Sequence, residues 1–340
     1  MTTPSAIELP GPRDPFVRKV RAGWRSLTGG SAIRDSERAT LIACSGGADS
    51  AALVLALADR SPTVAHVVHD WRPAEEALAD RDATRALAEG LGLRFFERHV
   101  TVRGQAANIE AIARRQRYQA LGAMAEECGL RFVATGHHAD DQLETLLLRL
   151  CRGAGVHGMR GIAPRRALGA VEVIRPMLGV RRSQCEALCA RCGYVWRVDA
   201  TNMDTARARA ALRRRVLPPL LEIQPQAIEN SERVARQMRR AAAHLHEQAA
   251  ALLESSEKGA GCLTWQRATL RASDEWVLGQ MLRLAALRVS GVHGADRRGA
   301  RPVGACVRAI RDQKGGRREL TWGGVRVVIE REMVMMKEDA

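Results

Sequence analysis

An apolar run that breaks into paired glycines and restarts at once as a helix-forming stretch narrows the possible folds of this chain more than any other feature. Residues 40–60 read TLIACSGGADSAALVLALADR. Thr40 to Cys44 predicts a buried strand, Ser45-Gly46-Gly47-Ala48-Asp49-Ser50 a tight turn, and the alanine- and leucine-rich run after it a helix. A strand that feeds a helix through so short a turn belongs to a parallel sheet with crossover connections. Adjacent glycines let the backbone take positive φ and approach a ligand closely, while the first N–H groups of the helix and its dipole face the same point. Such a turn is a cradle for an anion. No lysine follows the glycines, so it is not the G-x-x-x-x-G-K-S/T loop that grips β- and γ-phosphates.

The alternation continues on both sides. Phe16, Val17, Val20, Trp24 and Leu27 share one helical face, which predicts a leading helix over 15–28. Strands are expected at 63–68, 93–100, 130–135, 170–174 and 194–198, with helices at 74–91, 108–128, 140–151 and 181–192. The reading is an α/β fold: a parallel, doubly wound, Rossmann-like sheet covered on both faces, with ligands beyond the carboxyl ends of its strands. Near residue 200 the pattern changes. Residues 207–256 read as helices broken at Pro218-Pro219 and Pro225, 257–261 as a turn, and 265–289 as a helix. Segments 319–321, 325–329 and 333–336 then read as a hairpin pattern around Gly323-Gly324. The expected domains are 1–205, an α/β catalytic domain; 206–256, a helical substrate-binding domain; and 257–340, a small α+β module.

Charge narrows the partner. Fifty-three Lys and Arg against 38 Asp and Glu leave a net +15. That excess suits a polyanion, because each phosphate contact releases counterions; an arginine bias of the genome gives the same count. No signal peptide or membrane span is visible, so a soluble, cytoplasmic protein is expected. The eight cysteines are expected to be reduced thiols.

A second constellation lies at 135–144, Thr-Gly-His-His-Ala-Asp-Asp-Gln-Leu-Glu, at the junction after the strand expected at 130–135. His137, Asp141 and Glu144 are spaced to share one face of a helix that begins early enough. Carboxylates there suit magnesium or an ammonium group. Capping explains Asp140 alone and leaves the rest unaccounted for. A zinc site from His66, Asp70, His137 and His138 lacks supporting spacing. Cys189-Ala-Arg-Cys192 falls inside an expected helix with no second pair, and with Cys185 reads as buried apolar packing.

Taken together, these segments resemble a known family. Ser45–Ser50 matches the SGGxDS loop of the PP-loop ATP pyrophosphatases, which have an adenine nucleotide alpha hydrolase-like fold. Ala65–Arg72 looks like the "HVxHGLR" segment of the tRNA(Ile)-lysidine synthetase family, and Glu110–Tyr118 like its "E-x-x-A-R-x-x-R-Y" helix. Thr135–Thr145 resembles "TxHHxDDQxET", Leu146–Gly155 "LLxxxRGSG" and Arg175–Leu178 "RPLL". Asp199, Asn202, Asp204, Arg209, Leu217 and Pro218 follow "DxSNxDxxYxRNxIRxxxLPxL". The likeness covers about 36–221. Asp70, Arg207 and Ala210 depart from it, at positions that bear on the interdomain hinge and RNA contact more than on the nucleotide chemistry.

The resemblance implies ATP-dependent ligation of L-lysine to the wobble cytidine of the isoleucine tRNA with a CAU anticodon. An adenylated cytidine is the intermediate, and AMP and pyrophosphate are released. It assigns the pyrophosphate to Ser45, Gly46, Gly47, Ala48 and Asp49, with the hydroxyls of Ser45 and Ser50, and Asp49 to magnesium or to capping. Asp141 and Glu144, with His137, are the candidates for lysine. Arg114 and Arg117 would neutralise the leaving AMP or bind the anticodon backbone. Arg213–Arg215 and Arg239-Arg240 would line RNA phosphates, and the terminal hairpin would grip the acceptor stem. Two other readings compete: a PP-loop tRNA thiolase of the 2-thiocytidine type, and a basic RNA-binding protein with a vestigial loop.

Overall fold

The computed structural model describes residues 7–70, 73–102, 109–197, 208–259, 261–291, 300–313 and 316–339. Contacts divide the chain into two compact units, Met1–Arg236 and Gln237–Ala340. Among the described residues no helix is long and apolar enough to cross a membrane.

The first unit is built on a sheet. Its strands are β1 (Thr40–Ala43), β2 (Thr63–His69), β3 (Phe95–Val100), β4 (Phe132–Thr135), β5 (Arg165–Leu168) and β6 (Val171–Ile174). They lie in the order β3-β2-β1-β4-β6-β5. Every neighbouring pair is parallel except β5 with β6. Strand order reverses about β1, so the turn after β1 opens at the crevice where doubly wound sheets take their ligands.

Successive strand residues point to opposite faces, and each face has its own core. Ile42, Val64, Phe132 and Ala134 meet α1 (Pro15–Leu27), α2 (Ala48–Leu57) and α6 (Arg182–Arg191). Leu41, Ala65, Val133 and Val173 meet Tyr118, Leu121, Met124 and Ala125 of α4 (Ile109–Glu127). The helix α2 is buried nearly all round, as its lack of a polar face demands. Between β2 and β3 runs α3 (Ala74–Gly90), and after β4 comes α5 (Ala139–Cys151).

Several expectations need correction. The stretch 165–168 is a strand; its arginines suit an exposed edge and hide the alternation that marks a strand. Residues 194–197 form no strand: Tyr194 and Arg197 spend their hydrogen bonds on the loop after β1. The prolines at 218 and 219 open a helix instead of breaking one, because a missing N–H costs nothing in the first turn. There α7 (Ala208–Ala211) passes through a π-helical stretch, Leu212–Val216, into α8 (Leu217–Ile223), and then α9 (Ala227–Glu254) follows. Trp71, Arg72, Asp199, Asn202, Asp204 and Arg207, together with the 205/206 boundary, lie outside the described residues.

In the second unit β7 (Glu257–Gly259), β8 (Cys262–Gln266), β9 (Arg318–Trp322), β10 (Val325–Ile329) and β11 (Met333–Glu338) form an antiparallel sheet ordered β7-β8-β11-β10-β9. Trp265 is therefore in a strand, not a helix, and 257–259 is paired, not a free turn. The strands pack on α11 (Glu275–Ser290) and α12 (Ala300–Arg311), preceded by the short α10 (Arg267–Ala272). Arg267 is 4% exposed and donates to the carbonyls of Ile310, Glu330, Ala309 and Asp312 at 2.7–3.0 Å. It therefore ties off the carboxyl end of α12.

Candidate active site

The turn after β1 is shaped from behind. Gly46 takes φ +83°, and a Cβ there would lie 3.3 Å from the Asp80 carbonyl oxygen. Side chains from other elements satisfy the loop's carbonyls. The His66 ring donates from Nδ1 to the Cys44 carbonyl at 2.9 Å, the Tyr194 hydroxyl to that of Gly46 at 3.4 Å, and the Cys189 thiol to that of Ala48 at 3.4 Å. The Arg197 N–H adds a second bond to the Gly46 carbonyl at 3.2 Å, while Arg197 Nε meets Asp80 at 2.6 Å. Burial keeps His66 below its ordinary pKa, hence neutral and able to use Nδ1–H in this way.

With carbonyls turned back, the opening N–H groups of α2 remain for an anion. Within the turn, the Ser50 hydroxyl donates to the Gly47 carbonyl at 3.1 Å and accepts the Ser45 N–H at 3.0 Å. It is 7% exposed, so Ser50 braces the loop from inside, whereas Ser45 is exposed.

The acids come to the same place because α5 starts immediately after Thr135-Gly136-His137. His138 is its N-cap residue, and its backbone N–H donates to Asp141 Oδ2 at 3.1 Å. The His138 ring, 1% exposed, has Asp140 Oδ2 3.4 Å from Nδ1, and Asp49 Oδ2 and Asp141 Oδ2 at 3.4 and 3.6 Å from Nε2. Burial alone would lower its pKa; hydrogen bonds to Asp140 and Asp49 and the nearby Asp141 outweigh that and lift it to about 10. The ring therefore bridges the loop's Asp49 to the acids of α5. Gly136 permits the approach: a Cβ there would stand 3.0 Å from the Asp49 carbonyl and the Ser50 nitrogen.

Asp141 and Glu144 do share a face, and Arg213 binds both. Its Nη2 donates to Asp141 Oδ1 at 3.1 Å and its Nε to Glu144 Oε1. Glu144 is 1% exposed, and burial raises its pKa above the usual carboxylate value against the pull of Arg213. Two carboxylate oxygens in this cluster, Asp49 Oδ1 and Glu144 Oε2, are buried without a hydrogen-bond partner. Buried acceptors are rarely left so, and both are oriented to receive a cation or donor.

His137 differs sharply from its neighbour. Its Nδ1 lies 2.8 Å from the Thr135 hydroxyl. Burial, with Arg175, Arg114 and Arg117 nearby, outweighs Asp141 and pulls its pKa down to about 3. Arg114 and Arg117 stand over the Tyr118 ring at 5.2 and 5.8 Å, and Arg175 donates to the Tyr118 hydroxyl at 3.4 Å.

The structure thus gathers Ser45–Ser50, Asp49, Asp141, Glu144 and His137 at one end of the sheet, with Arg114 beside His137. Sequence reasoning had His138 in the constellation but not its bridging role, and missed Tyr194 and the role of Arg213, which it grouped with phosphate-lining arginines. The buried polar HH pair before two aspartates was a signal for His138; nothing local marks Arg213, which lies 72 residues beyond Asp141. For magnesium, no group of three or more His, Cys, Asp or Glu among the described residues is arranged to hold a metal alone. Magnesium at phosphates needs only one or two carboxylates, and the unpartnered Asp49 Oδ1 fits that demand.

Comparison with known proteins agrees with this geometry. The profile of the PP-loop domain family matches residues 21–220. A tRNA(Ile)-lysidine synthase of Salinispora tropica is 42% identical over 221 residues, covering 63% of this chain and 66% of that one. The chain thus spans just under two thirds of that relative. A tRNA(Ile)-lysidine synthase of Bordetella bronchiseptica is 38% identical over 272 residues, covering 76% of each chain. Among solved structures, a U34-tRNA thiolase from Methanococcus maripaludis superposes with a TM-score of 0.52 at 15% identity, covering 66% of this chain and 78% of that one. At that identity the likeness is one of fold. The chain belongs to the PP-loop family and, within it, to the tRNA(Ile)-lysidine synthases.

Proposed function

We propose that this protein uses ATP to join L-lysine to the wobble cytidine of the isoleucine tRNA with a CAU anticodon, in the cytoplasm, where tRNA and ATP meet. The observation that carries the reading is the single ring of His138, within 3.4 Å of Asp49 and 3.6 Å of Asp141. It joins an anion cradle to a pair of buried acids, which are the two halves that such a ligation needs. In the first half, the N–H groups at the start of α2 and the exposed Ser45 hydroxyl hold the pyrophosphate as the cytosine carbonyl oxygen attacks the α-phosphorus. A magnesium ion, when bound, neutralises phosphate charge, and Asp49 Oδ1 is the oxygen that would hold it. In the second half, Asp141 and Glu144 hold the lysine side chain; its ε-ammonium gives up a proton to solvent, the free amine attacks the activated carbon, and AMP leaves with the electrons of the C–O bond. His137 stays neutral and adds no positive charge beside an incoming ammonium. Arg114 and Arg117 supply positive charge for the RNA backbone beside the reacting base.

The thiolase alternative finds less support. Cys185 and Cys189 are buried, and burial drives their thiols above the ordinary value, Cys189 to about 12, away from the thiolate that sulfur transfer requires. A vestigial loop would not retain the donors that hold Cys44, Gly46 and Ala48 in place.

Incubation with labelled lysine, ATP and each of the two CAU tRNAs tests the reading. Label should enter the isoleucine tRNA alone, with pyrophosphate release that needs all three substrates. Incorporation of sulfur, or no pyrophosphate release under any combination, would sink it.

A further inference from the structure

The ring of Tyr118 carries more positive charge than the reaction as described uses. Besides Arg114 and Arg117, Arg166 places its guanidinium carbon 4.8 Å from the ring centroid, nearest of the three. Arg175 closes the cluster through the phenol oxygen, and its Nε is buried without a partner. Among the described residues, Arg114, Arg117 and Arg166 have no carboxylate in ion-pair range, whereas neighbouring Arg165 is paired with Glu172. Burial, together with the other arginines, pulls Arg117 and Arg175 below the ordinary guanidinium pKa. Four cations converging without an anion cost free energy that a bound oxyanion would return.

Topology places the cluster where a ligand can reach it. Because β5 runs antiparallel to β6, Arg166 lies opposite Val173, near the carboxyl end of β6 where Arg175 follows. That is the ligand end of the sheet. Arg114 and Arg166 are both exposed. At the start of α5, His138 sits against Asp49 and the nucleotide loop, while His137 faces the arginines. The cluster is therefore a second anion locus, one residue removed from the first.

We propose that Arg166 binds a phosphate of the RNA substrate and, with Arg114 and Arg117, forms a subsite separate from the pyrophosphate loop, the Tyr118 face holding the guanidiniums in register. This rests on the reading that tRNA is the substrate. The ATP phosphates have their own donors in the loop, so the unmatched charge here is left for the polynucleotide.

The test is equilibrium binding of unmodified isoleucine tRNA transcript over a range of salt, with ATP binding measured separately without RNA. Arg166→Gln should weaken tRNA binding about fivefold and reduce the slope of log affinity against log salt by about 0.7, the loss of one phosphate contact to a single-stranded segment. Arg166→Lys should restore most of that slope, and Arg165→Gln should leave it unchanged. ATP binding should not move in any variant. An unchanged slope in Arg166→Gln, or an equal loss in Arg165→Gln, overturns the subsite. Weakened ATP binding with intact tRNA binding overturns it in favour of a nucleotide phosphate. Wild-type protein that fails to bind tRNA at all removes the RNA reading itself, and the subsite with it.

Discussion

Buried polar atoms in the two units show how differently a protein can treat the cost of burial. Arg267 in the second unit is 4% exposed and meets four carbonyl oxygens, so its burial is fully compensated by hydrogen bonds. In the first unit, Asp49 and Glu144 each keep a buried oxygen with no partner, beside a histidine and an arginine that only partly balance them. The first arrangement is a staple. The second fits the cation site proposed above, because incomplete satisfaction is tolerated where a ligand completes it.

That contrast can be broken experimentally. The largest effect is expected at the acids. Asp141→Asn should lower kcat/KM for lysine about 1000-fold, since breaking a buried charge contact costs about 3–5 kcal/mol. A loss below tenfold in steady-state kinetics would take Asp141 out of the lysine site. Next comes the staple: Arg267→Leu should destabilise the protein by about 3 kcal/mol in denaturant unfolding, because several buried carbonyls lose their donor. Pyrophosphate binding at the loop should be retained; if binding falls and stability holds, the contrast between the two regions is wrong.

A smaller effect is expected from Tyr194→Phe, which removes only the hydroxyl behind Gly46. Stability should fall by about 1 kcal/mol, the worth of one hydrogen bond, and pyrophosphate affinity by no more than about fivefold. The remaining effect is the pH dependence that His138 imposes. Its folded pKa of about 10 lies above the ordinary 6.5, so its protonation stabilises the fold fully below pH 6.5, and that contribution is lost as pH rises through 10. Melting temperature should therefore decline toward alkaline pH more steeply in the wild type than in His138→Gln. Parallel curves would mean that the ring is not charged in the folded state.

How much of this could be read from the residues alone varied with distance along the chain. The glycine loop and the acids of α5 were legible because strand, turn and helix follow one another locally, and the acids repeat at helical spacing. The edge strand at 165–168 was not, since arginines on an exposed edge carry no alternation of polarity. Trp265 was mistaken for a helical residue because an apolar run of that length suits either state, and pairing of β8 with β11 decided it. Arg213 binds Asp141 from a π-helical stretch 72 residues further on, and Tyr194 reaches a glycine carbonyl 148 residues earlier. Both are long-range choices made by packing, for which no local pattern exists.

The close approach at Gly136 has a consequence of its own. A Cβ at position 136 would press to 3.0 Å against the backbone of Asp49 and Ser50, tight enough that they must shift by a few tenths of an ångström. The separation between the loop's Asp49 and the acids of α5 is thus set by a missing methyl group as well as by the His138 ring between them. Alanine there would act as a wedge, leaving each half chemically whole yet too far apart to hand one reactant to the other.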